Sequence, residues 1–518
     1  MRMNKPSPNQ NRFCGVLLHP SSLPNENLCG GFGKESRDWL EILAKNGVSA
    51  WQFLPLSPTD STGSPYSSPS SFAINPSFLD VNDLVHDGFL FPEQINQLPG
   101  NELKDKNLFE NFALAELRSR IIGQQLRESW EKQSFEIHSE FKNWCKKQFW
   151  LEDHALFMQI RFDNNQLPWW EWPTEFASHD KSCLSIYKNE KQELLLEHYL
   201  LQWHLFRQWN LLRNLARDLG VLLFGDLPFY VSRDSSDVWS NRSLFAVLSN
   251  GDIDHQSGVP PDYFSETGQL WGNPVYRWKR HHFSNFRWWI RRFARQFEQV
   301  DLLRIDHFRA FKALWKVPGN NKTAENGWWS PSPGLKLLSL LKKKYGGKLP
   351  LVAEDLGVIT KDVENLRDYF NLPGMKILQF AFDGNWDNPY LPENINDYKS
   401  IVYTGTHDNP TTNGWWDDIN EDIKDRVHQR FSGNQEEPSW KLIEIGMSTK
   451  SCLFIAPIQD ILCLNNHARF NTPGTVGKNW SWRLNGFDEV LTTAIKNYGD
   501  LARHHGRCSA DVNTLTSS

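Results

Sequence analysis

Three acidic segments stand where apolar, β-branched runs give way to turn residues: LLRIDHFR around Asp306, LVAEDLG around Glu354 and YTGTHDNP around Asp408. A buried strand that ends in a carboxylate offers that group at the rim of a sheet, where a substrate can reach it. Three such ends suggest one pocket lined with acids. Paired carboxylates facing one bond are what cleavage of a glycosidic linkage requires. The neighbouring residues suit the acids to different tasks. Arg304, two positions before Asp306, would hold that carboxylate ionised, as a nucleophile must be. Glu354, partly buried near other carboxylates, would have its pKa raised and could carry a proton for a leaving oxygen. Asp408, beside His407, would steady positive charge developing on a sugar ring. A single Asp after a strand is more often a helix cap or an ion-pair partner. Three at strand ends, flanked by His and Arg, favour the catalytic reading.

The elements that must position these groups are short apolar runs bounded by Gly, Pro and acids, the pattern of buried parallel strands. They read as residues 15–18, 50–54, 221–227, 300–305, 350–353, 375–380, 401–404 and 452–455. Helical patterns lie between most of them. SRDWLEILAKNG follows the first strand, with Gly47 suited to a helix C-terminus. FSNFRWWIRRFARQFEQ precedes the fourth, GLKLLSLLKKKYGG the fifth, and TKDVENLRDYF the sixth, with Thr360 as N-cap. No helix is evident between the sixth and seventh. Eight strands alternating with helices predict an α/β fold, a (β/α)8 TIM barrel, in which chemistry sits at the C-terminal ends of strands. Asp226, Asp306, Glu354 and Asp408 would then end strands three, four, five and seven. A doubly wound sheet is the alternative, but GGFG at Gly30 to Gly33 lacks the spacing of its phosphate turn.

The chain, residues 1–518, reads as one barrel domain with two insertions. Residues from about 84 to 190 form a helical insertion after the second strand, with NLFENFALAELRSRIIGQQLRESWEKQ its clearest amphipathic stretch. Residues from about 231 to 279 follow the third strand, and GVPPDYFSETGQLWGNPVYRW has the composition of an ordered functional loop. The first residues and the tail from 507 to 518 are expected to be disordered.

Composition narrows the classes of function. Hydrophobic residues make up 39% and charged residues 23%, the balance of a soluble globular protein. With a net charge of −5, neither nucleic acid nor a membrane is an expected partner. The cluster Lys342 to Lys344 reads as a solvated helix end. Seven cysteines are scattered without a C-x-x-C pair, which indicates neither a disulfide framework nor a structural zinc site. MRMNKPSPNQNR lacks the apolar core of a secretion signal. No apolar run approaches the ~18 residues of a membrane span. A cytoplasmic protein is expected. Trp is strongly enriched, with 24 in the chain. Doublets occur at Trp169–Trp170, Trp288–Trp289, Trp328–Trp329 and Trp415–Trp416. They read either as core packing or as platforms for the apolar faces of pyranose rings, each face contributing about 1–2 kcal/mol.

Taken together, RIDHFR, AEDLG and TGTHDNPTT resemble the catalytic segments of glycoside hydrolase family 77, the 4-α-glucanotransferases. The resemblance extends in order through GVLLHPSSLP, AWQFLPLSPT, SPYSSPSSFAINP, FGDLPFYVSRDSSDVW, GVPPDYFSETGQLWGNPVY and ARFNTPGTVGKNWSWR. It implies Asp306 as nucleophile, Glu354 as acid/base and Asp408 as transition-state stabiliser. It further implies that Arg304, His307 and His407 contact the sugar at the cleavage point. Tyr66, Asp226, Trp271, Asn273 and Asn479 would be further substrate-binding positions. Ser257 and Arg277 depart from the resemblance, standing where an alanine and an acid are expected.

The expected activity is cleavage of an α-1,4-glucan donor and transfer of the segment to the 4-hydroxyl of glucose or a maltooligosaccharide, with retention and no cofactor or metal. Transfer must outcompete water at ~55 M, which a dry site and a positioned acceptor allow. The aromatic-rich segment from Gly258 to Tyr276 is the expected cover. A retaining α-glucan hydrolase of the amylase type is the nearest rival. A non-catalytic glucan-binding protein and a metal-dependent barrel hydrolase are others. The latter is weakened because His307 and His407 show no H-x-H or H-E-x-x-H spacing.

Overall fold

The computed structural model describes residues 11–24, 29–100, 112–261, 265–357, 359–431, 435–475 and 477–507. Among them twelve strands occur: β1 (Phe13–Leu17), β2 (Ala50–Gln52), β3 (Leu222–Leu227), β4 (His255–Val259), β5 (Gln269–Pro274), β6 (Leu302–Ile305), β7 (Ala313–Pro318), β8 (Trp328–Pro331), β9 (Leu351–Ala353), β10 (Gly374–Ile377), β11 (Ser400–Tyr403) and β12 (Leu453–Pro457). Eight of these close into a parallel barrel in the order β1-β12-β11-β10-β9-β6-β3-β2. Their apolar residues on one face fill the barrel, as Phe13, Phe224, Val352, Met375, Ile401 and Ile455 do. The opposite faces pack on the surrounding helices, which explains why the strands are mostly apolar on both faces, with the few polar residues such as Asp226 and Arg304 as exceptions.

All eight barrel strands fall where the sequence places them, within a few residues. Several are shorter than expected; in β10, residues 378–380 leave the sheet as a 3-10 turn, Leu378–Phe380. Between β10 and β11 the described chain holds only that turn and a second, Pro392–Asn394, so the barrel lacks an α-helix at this point. Helix Lys34–Lys45 ends as the sequence predicts. Gly47 takes φ +75°, and the next amide, Val48 N, reaches back to Leu43 O at 3.0 Å. Thr360 does precede helix Lys361–Tyr369, but its hydroxyl donates to Asp362 instead of capping the helix.

Between β2 and β3 the described chain is mostly helical, including Phe112–Trp130, Phe135–Lys147, Leu151–Asp163 and Lys181–Glu190. The long helix Gln192–Asp218 buries Trp203, Leu205, Trp209 and Leu212 and carries two buried glutamines. Gln202 exchanges hydrogen bonds with both backbone groups of Ile74, at 2.9 and 2.7 Å. Gln208 does the same with Asp80, at 2.9 and 2.8 Å. The segment after β2, which carries Tyr66, is thereby fastened to the barrel wall.

The insertion after β3 is more than a loop. β4 and β5 form a hairpin that joins β7 and β8, from beyond β6, in an antiparallel sheet of order β5-β4-β7-β8. Sequence reading missed it because HQSGV and QLWGNP lack the β-branched apolar pattern that marks buried strands. The tryptophans divide as well. Trp169, Trp288 and Trp289 are buried in the core, whereas Trp328 and Trp329 on β8 are 44% and 37% exposed.

At the C-terminal end the expected disorder does not begin at Arg507, which is fully buried. Residues 508–518 and 1–10 lie outside the described residues. The Arg507 guanidinium donates to the carbonyls of Met447 at 2.7 Å, Phe13 and Ser451 at 3.1 Å, and Thr449 at 2.8 Å. It pins the end of helix Glu489–His504 to β1 and to the approach to β12. Arg507→Ala is expected to lower unfolding stability by about 2–4 kcal/mol, because several buried carbonyls lose a charged donor at once. Denaturant unfolding is the measurement, and a change below about 0.5 kcal/mol would contradict the anchoring role.

Candidate active site

The barrel register sets the central pair. Ile305 on β6 is level with Ala353 on β9, so Asp306 and Glu354 are the next residues on adjacent strands. Strands stand about 4.8 Å apart, which puts the two acids side by side at one mouth of the barrel. The ladder continues just far enough to hold them: Asp306 N donates to Leu227 O at 3.0 Å and Glu354 N to Ile305 O at 3.1 Å. The chain then turns at His307, which adopts φ +53°. That left-handed backbone, uncommon for a side-chain-bearing residue, aims His307 N at Glu354 Oε2, 2.8 Å away.

Arg304 organises the floor. Its side chain leaves β6 opposite Asp226 of β3, its register partner. One guanidinium nitrogen, Nη1, lies 2.6 Å from Asp226 Oδ2 and the other, Nη2, 3.0 Å from Asp306 Oδ1. Burial alone would lower the Arg304 pKa, but Asp226 and Asp306 outweigh it, so the cation is held firmly. Asp226, 3% exposed, is pushed up by burial against the opposing pull of Arg304. It also accepts from the Tyr66 hydroxyl at 2.7 Å. Tyr66 in turn lies 3.0 Å from His407 Nε2, which lies 3.3 Å from Asp408 Oδ2. With the Tyr66 proton directed to Asp226, the hydrogen on His407 belongs on Nε2. Burial raises the Tyr66 pKa well above normal and Asp226 adds to it, so Tyr66 remains a phenol.

Glu354 has different surroundings. Its oxygens accept from His307 N at 2.8 Å and Leu356 N at 3.1 Å. Burial dominates, however; despite the counter-pull of Arg304, and with help from Asp306, its pKa is pushed up to about 7. Asp306 and Glu354 are thus neighbours with opposite biases: one grips a cation, the other tends to keep its proton. Burial also pushes His307 down to about 4, so its ring is neutral near pH 7.

Asp408 is not the last residue of its strand. It stands in a turn five positions beyond Tyr403, the end of β11. Two residues that sequence reasoning did not single out support it. Asn471 Nδ2 donates to Asp408 Oδ1 at 2.6 Å, and Arg469 Nη2 to Asp408 O at 2.5 Å. Trp480, also missed, tilts against Tyr66 and His407 with ring centroids 6.0 and 6.1 Å away. It is buried at φ +67°, an unusual backbone for a bulky residue. All three lie in ARFNTPGTVGKNWSWR, where no strand or helix pattern marks them.

The remaining sequence candidates lie around this circuit. Trp271 on β5 meets the His307 ring edge-on at 4.9 Å. Asn273 follows two residues later on the same strand, half-buried. Asn479 closes its own loop, accepting from Thr472 N at 3.0 Å and donating to Thr475 O at 3.0 Å. Among the described residues no group of three or more His, Cys, Asp or Glu side chains is placed to hold a metal ion. None of the described helices is long and apolar enough to cross a membrane.

A (β/α)8 barrel whose C-terminal mouth carries two adjacent carboxylates, one tied to a buried guanidinium and the other with its pKa pushed up to about 7, defines a class of carbohydrate-active enzyme. Comparison makes this specific. A family model described as 4-alpha-glucanotransferase matches residues 18–490. A 4-alpha-glucanotransferase of Synechocystis sp. is 42% identical over 91% of this chain and 94% of its own. One from Thermus thermophilus is 40% identical over 91% of this chain and 95% of its own. The structure of an amylomaltase from Streptococcus agalactiae in complex with acarbose superimposes with a TM-score of 0.90 at 32% identity, covering 96% of this chain and 100% of that one. The chain belongs to the 4-alpha-glucanotransferase family, glycoside hydrolase family 77, and is an enzyme of that family.

The circuit assigns Asp226 a positioning role through Arg304. Asp226→Asn keeps the shape but removes one of the two charges that fix the guanidinium. We expect kcat to fall by about 10²-fold, the cost of misplacing a reacting group by roughly 1 Å. Steady-state kinetics check this, and a rise in KM alone would assign Asp226 to ground-state binding instead.

Proposed function

We propose that this enzyme transfers segments of α-1,4-glucan to the 4-hydroxyl of another glucan by double displacement with retention. The observation that carries the reading is the adjacency of Asp306 and Glu354 with their opposed electrostatic settings. In the first step Asp306 attacks the anomeric carbon and the Glu354 proton goes to the glycosidic oxygen, releasing the shortened chain. Asp306 is then bonded to the glucosyl carbon as an ester. In the second step the Glu354 carboxylate takes the proton of an acceptor 4-hydroxyl, whose oxygen displaces Asp306. Two inversions restore the α-linkage. Asp408, anchored by Asn471 and Arg469, faces the positive charge that builds on the ring in both steps. Arg304, His307, His407, Tyr66 and Trp271 surround the sugar at the cleavage point, with Asn273 and Asn479 further out.

The β4–β5 hairpin brings Trp271 over His307 and is the natural cover that keeps water from the ester while a glucan is held. The acceptors are glucose and maltooligosaccharides. The cytoplasm is the proposed location, supported by six cysteines that form no disulfide among the described residues.

Incubation with maltotriose separates transfer from the hydrolytic rival. Transfer yields glucose and longer oligomers with little gain in reducing ends, while net hydrolysis as the main outcome would reject the proposal. Asp306→Asn should lower kcat by at least ~10³-fold, since it removes the nucleophile, whereas a purely glucan-binding protein would keep its function.

The pH profile tests the acid. Glu354 must enter the first step protonated, and its pKa is pushed up to about 7. Formation of the ester should therefore weaken as pH rises through about 7 and hold steady just below it. In Glu354→Gln that alkaline limb should vanish, with a residual rate about 10²–10⁴-fold lower. A wild-type rate that stays flat from pH 6 to beyond pH 8 (roughly one unit either side of the transition) would remove Glu354 from the acid role.

A further inference from the structure

The four-stranded sheet above the barrel has two unlike faces, and its register assigns each residue to one of them. Trp315 pairs with Trp329, Gly258 with Trp315, and Leu270 with Gly258, so these residues share a face. That face is apolar and builds a core of its own, with Trp329 half-exposed at its edge. Trp315, Val317 and Ala324 form a small core with Leu270 against it. The other face holds the intervening positions: Trp271 on β5, Ser257 on β4, Lys316 on β7 and Trp328 on β8.

This second face starts at the active site, where Trp271 touches His307, and ends three strands away at Trp328. Three strand spacings amount to about 14 Å. Trp328 is 44% exposed yet held in place. His255 meets its ring edge-on at 5.5 Å, and Lys316 Nζ lies 5.5 Å from its centre. Lys316 places a hydrogen-bonding cation beside Trp328 on the same face. Aromatic platforms with a hydrogen-bonding group beside them match a polymer of pyranose rings, which have apolar faces and hydroxyl rims.

We propose that this face is an extended track for the α-1,4-glucan chain and that Trp328 is a remote subsite selecting chains longer than a trisaccharide. The inference rests on the transferase reading and adds the chain-length preference that reading leaves open.

The test is a ratio: kcat/KM on linear amylose divided by kcat/KM on maltotriose, which is independent of the fraction of folded enzyme. Trp328→Ala should lower the ratio about fivefold, equivalent to about 1 kcal/mol, and Trp328→Phe should restore most of it. Trp329→Ala is the matched control, because its ring lies on the opposite face against Trp315 and Arg309 and should not change the ratio. An unchanged ratio in Trp328→Ala, or an equal fall in Trp329→Ala, would overturn the track. Failure of the wild-type enzyme to elongate maltotriose would instead overturn the underlying transferase reading.

Discussion

A buried guanidinium between two carboxylates governs this site. Arg304 is charged and out of water, a state that is tolerable only with close, well-oriented partners. Asp226 and Asp306 supply them, at 2.6 and 3.0 Å. Satisfying that one cation therefore fixes the side chain of the nucleophile candidate. It also ties β3 to β6 and starts a chain of contacts through Tyr66 and His407 to Asp408. Residues from four separate parts of the sequence become one rigid unit. Low polarity around the circuit strengthens every link in it, and it makes the loss of any one partner costly.

The same geometry gives two neighbouring acids different surroundings. Asp306 sits against the Arg304 guanidinium. Glu354 receives two backbone N–H groups, yet burial still carries its pKa to about 7. Part of this arrangement depends on strain. His307 needs a left-handed backbone to turn its amide toward Glu354, and Trp480 needs one to lie beside Tyr66 and His407. Such residues persist only where the surroundings over-determine them, as a closed barrel and a hydrogen-bonded circuit do here.

Above the barrel, the antiparallel sheet performs two separate tasks with its two faces. One face makes its own small core and so gives the hairpin a firm base. The other carries Trp271 to His307 and leaves Trp328 exposed at its far edge. Because side chains alternate along a strand, the adjacent Trp328 and Trp329 belong to different environments. One ring lies beside His255 and Lys316, the other beside Trp315 and Arg309.

The barrel was legible because buried parallel strands are continuous apolar runs, and each strand from β1 to β12 in the barrel was marked by one. The carboxylates were legible for the same reason, since acids placed just after such runs stand out. β4, β5, β7 and β8 were not, because half-exposed strands of mixed polarity carry no such mark. Arg507 was misjudged as part of a loose tail because its partners are backbone carbonyls, which leave no trace in residue type. Arg469, Asn471 and Trp480 were missed because they act from an irregular loop whose path is set by contacts with distant segments. By itself, then, the sequence determined which runs form the barrel strands and that Asp306 and Glu354 follow two adjacent ones. Only the tertiary structure decided that Asp226 shares Arg304 with Asp306 and that Tyr66, His407, Arg469 and Asn471 link the circuit to Asp408, because those contacts arise between residues far apart in the chain.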